Sequence, residues 1–150
     1  MSHVNEILKR AHERGLQEGV AYAGVLTPQE ACFLAGHMES ARIVDVRSAA
    51  EWQFVGVVPD AVRIELKTWP GMQPNPNFDA QLTHQVDKEA VVMFLCRTGG
   101  RSDEAASRAS ALGFTAAFNI QEGFEGRPDG EQHRGTVDGW KARGLPWVQP

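Results

Sequence analysis

Two cysteines in 150 residues, Cys32 and Cys96, are too few for a disulfide framework. Neither has thiols, histidines or carboxylates around it at metal-ligand spacing, so no metal and no cofactor is expected. The longest apolar run falls far short of the ~20 residues that span a bilayer, which leaves no membrane segment to expect. There is no long basic run and the formal net charge is −4, which argues against nucleic acid as a partner. The opening SHVNEILKRAHERG lacks the apolar core of a secretory signal. A reducing cytoplasm is therefore the expected compartment, one that would keep a thiol available. No internal repeat is visible. What is present is ordinary for a globular chain, 42% hydrophobic and 23% charged residues, at a length that suits one core. Oligomeric state has no signature in the sequence.

The chain is organised around AVVMFLCRTGGRSDEAASRASALG, residues 90–113. Ala90 to Leu95 is an unbroken apolar run, the pattern of a parallel strand buried on both faces. The Ala-rich segment after it reads as helix, with Ser102 as N-cap and Asp103 and Glu104 at the positive end. The grammar is strand, tight loop, helix, and ligands of open α/β sheets bind at the carboxyl ends of strands. Cys96 stands there.

A cysteine ending an apolar strand is by default an inert core thiol. Two glycines and two arginines beside it have no place in that reading. Gly99 and Gly100 let the loop curl and turn its N–H groups inward as an anion nest. Arg97 and Arg101 are permanent cations that can fork onto an oxyanion. Free thiols titrate near ~8.5, and electropositive loops of this kind lower that to about 3.5–7.5. The sequence thus marks Cys96 as a nucleophile, with Arg97, Thr98, Gly99, Gly100, Arg101 and Ser102 as the anion-binding loop. Cys32, without cations nearby, reads as structural.

Around this centre, Val4, Ile7, Leu8, Ala11 and Leu16 predict an amphipathic helix over 3–17, ended by Gly15 and Gly19. Residues 1–20 are an N-terminal helical extension and 21–150 the fold proper. Thr27, Pro28 and Glu30 predict a capped second helix with Cys32, Leu34 and Ala35 in or near its buried face. ARIVDVRSAAEW (41–52) reads as strand, turn and helix start. Asp45, Arg47 and Glu51 follow that strand on the side of Cys96, as an ion pair bracing the loop. AVRIEL (61–66) and FTAAFNI (114–120) are further strands. KTWPGMQPNPN (67–77) is predicted irregular, placing Trp69 and Met72 over the site or over the sheet edge. Asn77 would cap a helix through Phe78 and Leu82. EGFEGRPDGEQHRGTVDG (122–139) is an unusually long irregular loop, whose His133 reads as a solvated side chain. Trp140 and Trp147 pack a final helical turn.

Three of these stretches together resemble the rhodanese-like domain, a family of single-cysteine sulfurtransferases. IVDVRSAAEW resembles its first signature, an aliphatic strand, Asp-x-Arg and a following Glu. CRTGGRS resembles its active-site loop, and GWKARGLPW its C-terminal ending. Two departures stand out. The family's Gly-His-Ile-Pro-Gly-Ala is GVVPDA here, so Val57 replaces the histidine and Asp60 the second glycine. Residues 125–136 look like an insertion beside the site.

The resemblance implies an α/β fold with a central parallel five-stranded sheet flanked by helices on both faces. It implies that Cys96 accepts sulfur from a small anionic donor such as thiosulfate and passes it to cyanide, a thiol or a protein persulfide partner. Backbone N–H groups of residues 97–102 would cradle the sulfur, Arg97 and Arg101 would steer the donor, and Asp45 and Arg47 would support the loop. A persulfide carrier or regulatory module fits the same residues. Cysteine phosphatases and arsenate reductases resemble Cys-x5-Arg instead, one residue longer than the Cys-x4-Arg here.

Overall fold

The computed structural model describes residues 2–150. Helix α1 (Ser2–Glu18) opens the chain. Its buried Val4, Ile7 and Ala11 face strand β1 (Gly24–Leu26). Gly15 does not end the helix, which runs on to Glu18. A Cβ at Gly15 would come within 2.9 Å of the Gly24 Cα, so helix and strand meet there backbone to backbone. Leu16 does not join the apolar face, as the helical spacing predicts, but points outward at 69% exposure.

Helix α2 (Pro28–His37) begins with the capping box read from the sequence. Glu30 N–H donates to Thr27 Oγ1 at 3.1 Å and Thr27 N–H to Glu30 Oε1 at 3.0 Å. Arg14 forks onto the same Glu30 at 2.7 and 2.9 Å, tying α1 to α2. The buried face carries Ala31 and Leu34, whereas Ala35 is exposed. Strand β2 (Ala41–Asp45) leads to α3 (Ala49–Phe54), capped by Ser48 and Glu51, and then to β3 (Val62–Arg63).

The stretch 67–77 is not wholly irregular. Lys67–Thr68 (β4) and Gln73–Pro74 (β5) pair as a short antiparallel hairpin. Asn77 precedes α4 (Phe78–Gln85) as expected, but its side chain makes no cap hydrogen bond. Instead Asn77 N–H donates to Asn75 Oδ1 at 3.0 Å. Strand β6 (Val91–Leu95), helix α5 (Gly100–Ala111) and strand β7 (Ala117–Ile120) follow.

Five parallel strands form one sheet in the order β1-β7-β6-β2-β3. Strand β1 has too few residues to carry a periodic signal; parallel pairing with β7 (Gly24 to Phe118, Leu26 to Ile120) makes it a strand. Because side chains alternate across a strand, Val92, Phe94 and Cys96 enter the core under α4 and α5. Val91, Met93 and Leu95 enter the core under α1 and α2. Helices therefore cover both faces. None of the described helices is long and apolar enough to cross a membrane.

Asp60, standing where the resembled family has glycine, holds φ at +67°. Aspartate is among the side chains that tolerate this left-handed backbone. The departure keeps the turn.

Candidate active site

After β2 the chain continues to β3 on one side, and after β6 to β7 on the other. The carboxyl ends of β2 and β6 thus flank the point where strand order reverses, where open α/β sheets leave a crevice. Asp45 closes β2 opposite Leu95, and Cys96 is the next residue after β6. Cys96 lies at the floor of this crevice, 1% exposed.

Gly99 has φ +118° and takes the N-cap position, so α5 begins at Gly100. Ser102 is therefore not the N-cap. It falls within the first turn, fully buried. The first helical hydrogen bond is Asp103 N–H to Gly99 O at 3.1 Å, which leaves the N–H groups opening the helix free of helical partners. Gly99 N–H donates to Cys96 Sγ at 3.0 Å, and Ser102 Oγ lies 3.3 Å from the sulfur. A donated N–H favours negative charge on its acceptor. The geometry is that of a loop wrapped around one sulfur atom.

Two ion pairs stand near this loop. Asp45 and Arg47 are both fully buried. Arg47 Nη2 donates to Asp45 Oδ2 and to Gly56 O, each at 2.7 Å, and Nε donates to Oδ1 at 3.0 Å. The guanidinium also lies 4.2 Å from the centre of the Phe124 ring. One side chain thus ties the end of β2, the turn after α3 and the loop after β7. Its Nη1 has no hydrogen-bond partner among the described residues. Arg47→Ala would leave Asp45 buried and uncompensated. The expected cost is about 3–5 kcal/mol of unfolding free energy, read from urea titration; a loss under ~1 kcal/mol contradicts the strut.

The second pair joins α3 to the loop. Arg101 forks onto Glu51 at 2.7 and 2.9 Å. Burial alone would push the Glu51 carboxyl up, but the hydrogen bonds from Arg101 and Ser48 outweigh it and hold it at about 2 against an ordinary 4.5. A carboxyl lowered on folding adds stability that is complete above its unfolded value and fades as pH falls through the folded one. Between pH 4.5 and about 2 this carboxyl should give up on the order of 3 kcal/mol. Glu51→Gln should flatten acid unfolding in that window; an unchanged profile contradicts the pairing.

The loop after β7 closes the site from above. Phe124 N–H donates to Cys96 O at 2.8 Å, and Glu125 N–H to Arg97 O at 3.1 Å. Trp140 N–H donates to Gly123 O at 2.8 Å, anchoring the loop to the tail, where Trp140 is buried. The stretch 125–136 is braced through Asp129, which accepts from His133 N–H at 2.9 Å and Thr136 Oγ1 at 2.7 Å. His133 itself is exposed.

A cleft of about 520 Å³ opens beside the loop, lined in part by Val55, Trp69, Met72, Arg97, Arg101 and Glu125. Trp69 and Met72 thus overhang the site rather than the sheet edge. Among the described residues, none forms a salt bridge with Arg97, while Arg101 is shared with Glu51. A larger depression of about 760 Å³ lies at the opposite end of the sheet, between His37–Ser40 and Gln85–Ala90. It holds no part of the Cys96 loop.

Cys96 to Ser102 form one continuous loop and helix start, in which Arg97, Thr98 and Gly100 are exposed; Asp45 closes the neighbouring strand and pairs with Arg47. Sequence reasoning missed Gly123, Phe124 and Asn119. The Gly-Phe-Glu-Gly run was a signal for the first two.

Four similarities to known proteins bear on this arrangement. A family model described as "Rhodanese-like domain" matches residues 31–126. The crystal structure of Rv0390 from M. tuberculosis is 43% identical, with a TM-score of 0.79, covering 86% of this chain and 99% of that one. The uncharacterized protein RC0915 of Rickettsia conorii is 34% identical over 113 residues, 73% of this chain and 84% of that protein. A protein of Allochromatium vinosum named "Sulfurtransferase" is 26% identical over 112 residues, 75% of this chain and 82% of that protein. With a thiol at the carboxyl end of the central strand of a five-stranded parallel sheet, this chain belongs to the rhodanese-like domain family.

Proposed function

We propose that the protein is a sulfurtransferase that carries sulfane sulfur as a persulfide on Cys96. The observation that carries this reading is the buried Cys96 sulfur receiving the Gly99 N–H at 3.0 Å inside a Cys-x4-Arg loop. A pocket this tight around one sulfur favours adding a second sulfur atom over seating a tetrahedral phosphate or arsenate.

The steps balance without a protonating side chain. The Cys96 thiolate attacks the outer sulfur of thiosulfate; a new S–S bond forms, the old one breaks, and sulfite leaves with the electron pair. Loop N–H groups hold the resulting persulfide anion. Cyanide or a thiolate then attacks the outer sulfur, taking it as thiocyanate or a new persulfide, and Cys96 departs as thiolate. Arg97, which has no salt bridge among the described residues, meets the anionic donor in the cleft, while Arg101 stays with Glu51 and holds the loop.

The test is steady-state thiocyanate formation with both substrates varied. Parallel double-reciprocal lines are expected, as for a ping-pong cycle. Persulfide formation without turnover would make the protein a carrier. Hydrolysis of an aryl phosphate without thiocyanate formation would overturn the reading.

A further inference from the structure

The Ser102 hydroxyl owns one proton and has more than one claimant for it. Asn119 Oδ1 lies 2.6 Å away, the Gly99 carbonyl 3.1 Å and Cys96 Sγ 3.3 Å. Asn119 is on β7, buried on the sheet face that also carries Cys96 and α5. The Gly99 carbonyl orients its amide. Nδ2 donates to Gly99 O at 3.3 Å. With that carbonyl taking the amide N–H, the Asn119 oxygen is turned to Ser102, and Ser102 is the donor between them.

While Cys96 is a thiol, its S–H can donate to Ser102 Oγ and nothing competes. Once the sulfur has lost that proton, or bears a second sulfur as a persulfide anion, it is an acceptor only. Hydrogen bonds to an ionised acceptor are roughly twice as strong as neutral ones. We propose that Asn119 is a positioning residue for Cys96: it competes with the sulfur for the Ser102 hydroxyl, which turns from Asn119 to Sγ when the sulfur becomes an anion. One O–H···O bond breaks and one O–H···S bond forms, and the hydroxyl keeps its proton. Asn119 thus restrains the nucleophile that Ser102 supports. The inference rests on Cys96 being the reacting sulfur, not on the identity of the sulfur donor.

The experiment is the rate of Cys96 alkylation by iodoacetamide at one pH, followed by mass on the Cys96 peptide so that Cys32 does not contribute. Ser102→Ala should slow it about tenfold, and Ser102→Thr should keep it within about threefold of the parent. Asn119→Val should quicken it about threefold to tenfold. In the Ser102→Ala background, Asn119→Val should change nothing, because its effect runs through the hydroxyl. Asn119→Ala takes the same place if the valine variant fails to fold. The proposal is overturned if removing Asn119 slows alkylation, or changes it equally with and without the Ser102 hydroxyl. Absence of sulfur transfer would sink the functional reading and leave this cycle standing.

Discussion

Cys96→Ser should abolish sulfur transfer, lowering it by at least about 10³-fold, while Cys32→Ser leaves it intact. Serine at position 96 can still accept the Gly99 N–H now given to Sγ at 3.0 Å. Stability should therefore change by no more than about 2 kcal/mol, and the loss is chemical: an alkoxide is not formed there, and oxygen does not hold a labile outer sulfur. Cys32 lies half-buried on α2, and burial alone pushes its thiol up. Thiocyanate formation by both variants, beside their urea midpoints, reads the outcome. Transfer retained by Cys96→Ser, or lost with Cys32→Ser, would move the chemistry to another sulfur.

Gly123→Ala carries the second large effect, and it acts on backbone. Gly123 holds φ at +72°, and a Cβ there would press on the Arg97 carbonyl group and come within 2.6 Å of Thr98 N. None of these atoms can rotate away as a side-chain tip would. The left-handed conformation adds ~1–2 kcal/mol for alanine, and separating the strands of loop would break Phe124 N–H from Cys96 O and Glu125 N–H from Arg97 O. The expected result is a loss on the order of 3 kcal/mol or more in stability, with transfer reduced at least about tenfold in the protein that remains folded. Gly130→Ala, where a Cβ meets nothing within 4 Å, is the control and should be neutral. Equal behaviour of the two variants would mean that the loop after β7 does not hold the site.

Local signals made most of the fold legible. The Thr27–Glu30 and Ser48–Glu51 boxes act over three residues and appear as read. The apolar run before Cys96 is the central strand it resembles. What stayed hidden depends on partners distant in the chain. Strand β1 exists through β7. Glu51 meets Arg101 across 50 positions. Proline content masked the pairing of β4 with β5. Ser102 shows a local rule overridden: a good N-cap residue yields that position to Gly99, whose φ starts the helix earlier, and its hydroxyl turns to buried partners instead. Asn119 carries no motif at all, and only the juxtaposition of β7 with α5 gives it a place beside the sulfur.

The proposed function requires that Cys96, whose sulfur receives the Gly99 N–H at 3.0 Å, take up one sulfur and keep it as an anion. Intact mass after brief exposure to thiosulfate and removal of excess reagent tests it most directly. The expected result is a gain of one sulfur atom, mapped to the Cys96 peptide, released by cyanide and missing in Cys96→Ser. No added sulfur, or the same addition on Cys96→Ser, would contradict it.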